Sequence, residues 1–472
     1  MKILFVTHDG VSHEPLGLMY LSGALRRAGH DTRACMQSQA MAKVADWGPD
    51  FVAFQVLTGD QDRWGGVARN IKREFPSVKT IFGGPHYTYF AKAQQTEADI
   101  LIRGDGEKAI VNAVEGRPIP IVATIVEDLS EIASPDRRLF YNDDFPAIKN
   151  NVIRNFIATR GCIFKCRYCY NSSEAYQKMV PGKLRTRDQS PERVIEDIVN
   201  CFRDYGGELV SFQDDIFGID MQWLEEFVSL YKKVNIPFFA QLRPALITED
   251  RVKLLKEAGI HIASFAIESG NEKTRAEILD RHESNELIKK GVSILQKYNI
   301  KFRMQNLLGL PVDDPLADAL ETLRFNIECK PTLSWASQLQ CYPGTKIADL
   351  VVEKGFVKSL DELEYLVNAT FFDECSLPIR DKKKVERLHR YWSAVVRWPW
   401  LYPIVTKLLI HIDFGKKFHQ WIFEKTKGYI NRKEYWKVER LERHVSITSQ
   451  QQYDRLGNEL ERIKKVTVET CL

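Results

Sequence analysis

Short apolar runs alternate with helix-like patterns along most of the first 345 residues, and this alternation limits the chain to a small set of folds. Near the N-terminus the runs lie at residues 2–7, 51–57, 79–82 and 100–102. Runs this short and apolar are typical of parallel strands whose two faces are both covered by helices. The pattern therefore predicts an α/β chain that begins with a doubly wound, Rossmann-like parallel sheet.

A second series of apolar runs follows a charged stretch that contains Pro135 and Pro146. Its six predicted strands alternate with helices and lie at residues 153–158, 209–212, 238–242, 262–267, 302–308 and 333–340. Six such units predict a partial (β/α)6 barrel, open on one side, with its active site at the carboxyl ends of the strands. We therefore expect a first domain (1–125), a linker (126–149), a barrel (150–345) and a mainly helical C-terminal region (346–472).

Composition and charge indicate the cellular compartment of the protein but say little about its reaction. A net charge of +4 on 472 residues is no general argument for nucleic-acid binding. Nine cysteines without a disulfide-like rhythm favour a reducing compartment. The apolar run at the N-terminus is too short for a signal peptide, and no uncharged stretch reaches the length of a membrane span. The sequence predicts a cytoplasmic protein.

Three cysteines within eight residues, Cys162, Cys166 and Cys169, carry the strongest chemical signal. An iron–sulfur cluster normally binds four thiolates, so a tight loop that supplies three leaves one iron open for another ligand. A zinc site is one alternative, but zinc sites usually combine two pairs of ligands, and no second Cys or His pair lies nearby. Three unrelated surface cysteines are the other alternative.

With Tyr168 directly before the last cysteine, this spacing resembles the signature of the radical S-adenosylmethionine (SAM) superfamily. The resemblance implies a [4Fe–4S] cluster on Cys162, Cys166 and Cys169 whose open iron binds the amino and carboxylate groups of SAM. It also implies that one electron from the cluster splits SAM into methionine and a 5′-deoxyadenosyl radical. We therefore expect an oxygen-sensitive enzyme.

The residues that follow the predicted barrel strands match further positions of that superfamily. In chain order they are Asp214, Asp215, Arg243, Glu268, Ser269, Arg303 and Gly309. The resemblance implies that Asp214 or Asp215 binds the SAM ammonium, that Glu268 binds the ribose hydroxyls, and that the Gly309 turn lies against the adenine. Arg243 could meet the SAM carboxylate or form a structural ion pair, and one of the two aspartates could cap a helix.

The strand ends of the first domain carry a set of small and polar residues. They are Leu16, Gly17, Thr58, Gly83, Gly84, His86, Gly104 and Glu107. Glycine-rich turns at this edge let a large flat ligand approach the backbone, and the ordered set resembles the cobalamin-binding domain that precedes many radical SAM enzymes. The loop after the first strand lacks the Asp-x-His-x-x-Gly pattern of cobalt-coordinating domains. We therefore expect cobalamin without a histidine below the metal, and a sheet that has lost its cofactor is the alternative.

Cysteines outside the triplet bear on two further questions: the role of Cys341 and the class of enzyme. Cys341 follows the sixth barrel strand and could donate a hydrogen atom or hold an intermediate, although such a cysteine is more often simply packed. Methylthiotransferases carry three cluster cysteines in the N-terminal domain, whereas residues 1–125 contain only Cys35. The sequence therefore argues against that class.

The C-terminal region is basic and rich in tryptophan. Residues 376–472 contain 21 Lys and Arg against 11 Asp and Glu. A basic, aromatic, amphipathic segment can lie in a membrane interface, which would make a lipid substrate more plausible. A helical cap that packs its tryptophans on the barrel is the favoured alternative, and no module for nucleic acid is present.

Together these features predict a cobalamin-dependent radical SAM enzyme that methylates an unactivated carbon of a small-molecule or lipid substrate. We expect 5′-deoxyadenosine, S-adenosylhomocysteine and methylated product together, with flavodoxin or ferredoxin as the reductant. An oxidative cyclase or rearrangement enzyme with the same cofactors is one alternative. A SAM- and cobalamin-binding regulator without turnover is the other.

Overall fold

A computed structural model describes residues 1–90, 96–120, 123–180, 186–367 and 374–430 of the chain. The described residues form two compact units. Of the described residues, the first unit contains 1–163 and 173–209, and the second contains 164–172 and 210–430. The domain limits expected from the sequence (1–125, 126–149, 150–345 and 346–472) remain predictions.

The first unit begins with a five-stranded parallel sheet in the order β2-β1-β3-β4-β5. Its strands are β1 (Lys2–Thr7), β2 (Asp31–Met36), β3 (Phe51–Gln55), β4 (Lys79–Gly83) and β5 (Ile100–Leu101). The helices between and after them are α1 (Leu16–Arg27), α2 (Ala40–Trp47), α3 (Gln61–Glu74), α4 (Pro85–Tyr89) and α5 (Glu107–Val114). Because β1 lies between β2 and β3, the strand order reverses at this point, which is where such sheets bind ligands.

Alternate residues of β1 enter two different cores, which is why the strand reads as a continuous apolar run. Ile3 and Phe5 pack in one hydrophobic cluster, and Leu4 and Val6 pack in another. A strand covered on both faces needs apolar residues at every position. This confirms the doubly wound sheet that the sequence predicts.

One strand of this sheet was missed in the sequence. β2 pairs only with β1, so it is an edge strand, and Asp31 and Arg33 in it are exposed. An edge strand that alternates polar and apolar residues lacks the apolar run by which the other strands were found. The predicted strand at residues 100–102 is also shorter, since only Ile100–Leu101 pair with β4.

The rest of the first unit consists of short elements and one long helix. They are α6 (Pro146–Lys149), β6 (Ile153–Phe156), β7 (Thr159–Gly161), α7 (Glu174–Met179), β8 (Thr186–Asp188) and α8 (Pro191–Tyr205). β7, which ends directly before the first cysteine of the triplet, pairs antiparallel with β8, which follows the cysteine loop.

The second unit contains a parallel sheet with the neighbour order β13-β12-β11-β10-β9. The strands are β9 (Leu209–Phe212), β10 (Phe238–Leu242), β11 (Ile260–Glu268), β12 (Lys301–Leu308) and β13 (Leu333–Gln338). The helices among them are α9 (Met221–Val234), α10 (Glu249–Ala258), α11 (Glu272–Glu277), α12 (Asn285–Lys297) and α13 (Pro315–Cys329). The predicted half-barrel of parallel strands is confirmed.

The chain after the barrel is helical, as predicted. Its helices are α14 (Lys346–Glu353), α15 (Leu360–Leu366), α16 (Lys382–Arg397), α17 (Tyr402–Ile404) and α18 (Lys416–Ile430), with a π-helical turn at Val405–Leu409. α16 packs on β13: Trp392 Nε1 donates to Ser334 Oγ at 2.8 Å, and His389 Nε2 lies 2.9 Å from the Ala336 carbonyl oxygen. Among the described residues, no helix is both long and apolar enough to cross a membrane.

Candidate active site

The second and third cysteines of the triplet lie in consecutive tight turns. The Cys169 amide donates to the Cys166 carbonyl at 3.0 Å, and the Ser172 amide and hydroxyl both donate to the Cys169 carbonyl. Cys162 and Cys166 are buried, and Cys169 is half-buried. The backbone of this loop is thus held by its own hydrogen bonds.

Arg243, at the carboxyl end of β10, lies against the sulfur of Cys166. Its Nη1 is 2.9 Å from Cys166 Sγ. Glu283 accepts from both Nε and Nη2 of the same guanidinium, and the Phe164 ring centroid lies 4.1 Å from its carbon. A guanidinium donor beside a sulfur is suited to a thiolate that carries negative charge. In the protein itself the carboxylate partner of Arg243 is Glu283, so the structure contains the ion pair weighed as one of its two roles.

A half-buried tyrosine lies in this loop, beside a buried carboxylate and a buried guanidinium. Tyr168 donates to Glu268 at 2.5 Å, and Arg281 Nη1 donates to Tyr168 Oη at 3.0 Å and lies 3.5 Å from Glu268 Oε1. Burial raises the pKa of Glu268, and the Arg281 charge partly opposes that rise. Burial also raises the pKa of Tyr168, and the Glu268 charge adds to that rise. A carboxylate held this way can accept hydroxyl donors at the carboxyl end of β11.

The backbone at Glu268 is itself unusual. Its φ is +68°, in the left-handed region, and the pairing of β11 with β12 shifts register between Ala266 and Glu268. A non-glycine residue in this region costs energy and occurs mostly at sites where a side chain must be aimed. The irregularity therefore directs the carboxylate away from the regular strand position.

Asp215 lies after β9 and contacts the last residues of the cysteine loop. Asn171 Nδ2 donates to Asp215 at 3.0 Å, and Tyr170 Oη lies 3.4 Å from both of its carboxylate oxygens. Burial raises the pKa of Asp215, whereas the hydrogen bonds from Asn171 and Tyr170 lower it. The neighbouring Asp214 is buried. The structure thus brings Asp215 to the loop that carries the cysteines.

Three further predicted residues lie in packed surroundings of the second unit. Ser269 donates to the buried Asp318 at 3.0 Å, and burial raises the pKa of Asp318 to about 6. The Arg303 guanidinium stacks on the Trp335 ring at 4.2 Å from its centroid. Cys341 is fully buried within an apolar cluster, and burial raises the pKa of its thiol.

Gly309 closes β12 with a φ of +75°. A Cβ atom at this position would lie 2.6 Å from Cys375 Sγ, closer than any real Cβ contact. Glycine is therefore required here both by the backbone conformation and by the packing of the C-terminal region.

In the first unit, the predicted residues collect at the carboxyl ends of β3, β4 and β5. His86 is buried in α4, with Nδ1 3.2 Å from Thr58 Oγ1, and burial lowers its pKa to about 4. Gly84 has a φ of +105°, and a Cβ there would lie 2.9 Å from the Val56 carbonyl oxygen. Gly83 borders the same turn, while Leu16 is buried and Gly17 is exposed at the start of α1. The backbone after β4 therefore lies in direct contact with the backbone after β3.

The turn after β5 is joined by salt bridges to the strand before Cys162, a contact that sequence reasoning missed. Gly104 has a φ of +79°, and a Cβ on it would lie 1.9 Å from the Thr124 carbonyl oxygen. Arg160 in β7 pairs with Glu107 at 2.5 Å and with Asp105 at 3.2 Å. Because β7 ends at Gly161, directly before Cys162, these ion pairs connect the turn after β5 to the beginning of the cysteine loop. Partners so far apart in the chain leave no local sequence signal.

The donors present fit the cofactors that the sequence implies. Among the described residues, no three His, Cys, Asp or Glu side chains converge on one point as a single metal ion requires. A cubane cluster places each thiolate on a different iron, so its cysteines need not converge. The Arg243 donor on Cys166 and the buried Tyr168–Glu268–Arg281 group suit an anionic cluster and a hydroxyl-bearing nucleotide, respectively.

Comparison with known proteins agrees with this reading. The B12 binding domain model matches residues 3–114, and the Radical SAM superfamily model matches residues 156–325. An uncharacterised methyltransferase of Pyrococcus horikoshii is 24% identical over 390 residues, which cover 75% of this chain and 82% of that protein. The anaerobic magnesium-protoporphyrin IX monomethyl ester cyclase of Cereibacter sphaeroides is 23% identical over 74% of this chain and 63% of the cyclase.

A solved structure shows the same fold. The cobalamin-dependent SAM radical enzyme OxsB, with aqua-cobalamin bound, has a TM-score of 0.63 at 12% identity, covering 100% of this chain and 81% of its own. The fold and the two matched models define a radical SAM enzyme with a B12-binding domain in front of its barrel. The chain thus carries a B12 binding domain followed by a radical SAM domain, and these two domains imply a [4Fe–4S] cluster, SAM and cobalamin as its cofactors.

Proposed function

We propose that this enzyme methylates an unactivated carbon of a small-molecule substrate. The cofactors supply the radical and the methyl group, and the protein supplies binding, orientation and exclusion of water. The observation that carries the proposal is the arrangement in the second unit, in which Cys166, Tyr168 and Glu268 lie in one largely buried network with two arginines.

Each part of this network has a proposed role. Cys162, Cys166 and Cys169 hold the cluster, and Arg243 donates to the sulfur of Cys166. Glu268 accepts the ribose hydroxyls of SAM, with Tyr168 and Arg281 fixing the position of its carboxylate. Asp214 or Asp215 accepts hydrogen bonds from the SAM ammonium, and the turn at Gly309 lies beside the adenine.

The first unit has a corresponding set of proposed roles. Thr58, Gly83, Gly84 and His86 border the cobalamin at the sheet edge. His86 is buried and its lowered pKa keeps it neutral near pH 7, so it adds no charge to the site. Leu16, Gly17, Gly104 and Glu107 complete this border, and Arg160 holds Glu107 in place.

The test is an anaerobic reconstitution followed by mass spectrometry of the SAM products, with iron and cobalt analysis. We expect 5′-deoxyadenosine and S-adenosylhomocysteine from the wild type, and loss of at least about a hundredfold in 5′-deoxyadenosine release from Cys166→Ala, because the cluster loses a ligand. Cys329→Ala, which removes a buried thiol outside the cysteine loop, is the matched control and should retain release. Unchanged release from Cys166→Ala would contradict the proposal.

A second candidate function rests on the relative that is a cyclase. Because that enzyme aligns over 74% of this chain, an oxidative cyclisation with the same cofactors is the alternative outcome of the radical step. Deoxyadenosine without homocysteine in the same assay would select it. A protein that binds both cofactors but releases neither product would be a regulator instead.

The partners follow from the chemistry. A one-electron donor such as flavodoxin or ferredoxin would reduce the cluster, because SAM cleavage consumes one electron. We propose a cytoplasmic enzyme that contacts the inner membrane face, so that a lipid is one candidate for the substrate. Co-purification of the reductant and lipid analysis of the methylated product would test these two points.

A further inference from the structure

A row of apolar side chains points outward from the end of the described chain. Trp400, Ile404, Leu408 and Ile412 recur every four residues, and they are 67%, 41%, 50% and 38% exposed. Residues four apart share one face of a helix. Trp400, Ile404 and Leu408 therefore form an exposed row along the helical turns at Pro399–Leu409, and the exposed Ile412 follows them in the chain.

An aromatic cluster continues this surface at the start of α18. The ring centroids of Phe414 and Phe418 are 5.3 Å apart, and those of Phe418 and Trp421 are 6.3 Å apart. All three side chains are more than two-fifths exposed, at 46%, 42% and 51%. Neighbouring large apolar residues rarely face water together unless the patch binds something.

The opposite face of the same segment is firmly attached to the second unit. Val405, Ile410 and Ile430 are buried. His419 Nδ1 lies 2.9 Å from Tyr391 Oη, and Arg387 donates to the Ile410 carbonyl at 3.1 Å. The exposed row and the aromatic cluster are thus the outer side of a packed amphipathic segment.

Positive charge borders this apolar surface. Residues 400–430 contain five lysines against two carboxylates, and the carboxylate Asp413 pairs with Arg387 at 2.7 Å. Lys407, Lys417 and Lys425 are exposed beside the apolar side chains. A basic, aromatic and apolar surface complements an anionic bilayer, in which lysines meet phosphates and tryptophans lie at headgroup depth.

We propose that residues 400–430 form a docking surface for an anionic phospholipid bilayer. The segment lies in the interface, since none of the described helices meets the length and hydropathy of a membrane span. The exposed row and the aromatic cluster enter the headgroup region, and the lysines contact lipid phosphates. The surface needs neither cofactors nor turnover, so it stands or falls independently of the methylation reaction.

Vesicle flotation of the full chain tests this surface. We expect the protein to float with phosphatidylcholine vesicles that contain phosphatidylglycerol, and to float about tenfold less with pure phosphatidylcholine or at high salt. Leu408→Ser combined with Trp421→Ser should reduce flotation at least about tenfold, because both side chains lose their apolar area. Leu287→Ser, which changes an exposed leucine on α12, is the control and should float like the wild type.

Other results would overturn the surface. Equal flotation of the double variant and the wild type would show that these side chains do not bind lipid, provided that circular dichroism and iron content match. If the wild-type chain did not float with anionic vesicles, the proposal that this surface binds lipid would also be wrong. A dimer in light scattering that the double variant converts to a monomer, without vesicle binding by the wild type, would assign the surface to a second copy instead.

Discussion

Arg243 makes a contact with Cys166 that its position in the sequence does not reveal. The residue ends β10, where either a SAM carboxylate or an ion pair is plausible, and the structure adds a contact to Cys166 Sγ at 2.9 Å. Hydrogen bonds and positive charge at cluster sulfurs favour the reduced, more negative state of the cluster. With the cluster bound to Cys166, Arg243 would therefore be one of the residues that set its reduction potential.

Arg243→Met should lower the reduction potential of the cluster. Loss of a guanidinium beside Cys166 removes a charge that stabilises the reduced state, and we expect a shift of about 30–60 mV, where 59 mV corresponds to a factor of ten for one electron. The shift is measured by an electron paramagnetic resonance titration of protein with full iron content. Arg251→Met is the control, because Arg251 is buried in the same unit but donates to the carbonyls of Gly218 and Ile219. An unchanged potential in Arg243→Met at full iron content would contradict this role.

Within the first unit, β7, the strand that ends directly before Cys162, is joined to the start of α5. Through Arg160 it pairs with Glu107 and Asp105, which begin and precede α5. The Arg160 and Glu107 side chains are only 17% and 6% exposed, so the ion pair is largely shielded from water. The helix end and the strand before Cys162 consequently hold each other in position.

Arg160→Met should destabilise the first unit by about 2–4 kcal/mol, because it leaves the buried carboxylate of Glu107 without its partner. Urea denaturation followed by circular dichroism measures this cost, and cobalamin retention should fall in parallel. Adding Glu107→Gln should recover part of the loss, since the unpaired charge is then gone. Lys178→Met removes an exposed pair with Glu174 and should change the free energy of unfolding by under about 0.5 kcal/mol. A similar small effect from Arg160→Met would show that β7 and α5 are held by other contacts.

Strands and helices could be predicted from the sequence more completely than the contacts between side chains. Strands such as β9 and β10 could be predicted because nearly all of their residues are buried and they read as apolar runs, whereas β2, with Asp31 and Arg33 exposed, could not. Glu268 was identifiable by its place after a strand, but its partner Arg281 was not. Arg281 lies in a loop between α11 and α12, and only the folded chain brings it to Tyr168. Burial produces a periodic pattern of apolar residues in the sequence. Ion pairs between distant segments produce no such pattern.

The molecule as a whole should be sensitive to acid through one histidine in each unit. Burial lowers the pKa of His86 from 6.5 to about 4 and that of His389 from 6.5 to about 3. At each of these two sites the unfolded chain therefore binds more protons than the folded chain as the pH falls below 6.5, so each histidine lowers the free energy of unfolding in that direction. In the second unit the raised pKa of Asp318 acts in the opposite direction. At pH 5 the loss relative to pH 7 is about 2 kcal/mol per histidine.

Urea denaturation at pH 7 and pH 5 measures this dependence. His86→Gln and His389→Gln remove the titrating groups, and each should flatten the pH dependence of the unit that contains it. His282→Gln, which changes an exposed histidine beside Asp280, is the control and should leave the dependence unchanged. Identical pH dependence in all of these chains would assign the acid sensitivity to other groups.

The apolar cluster of the second unit contains Leu308 and Leu323 from the barrel together with Val385 and Trp392 from α16. The barrel and the C-terminal helices of this chain share one hydrophobic core, so neither can be exchanged without the other. During divergence from its relatives, a substitution on one side of that common interior would demand a compensating substitution on the other. Exchange of C-terminal regions between relatives, as a way to transfer specificity, should then succeed only when the barrel residues that face α16 are transferred as well.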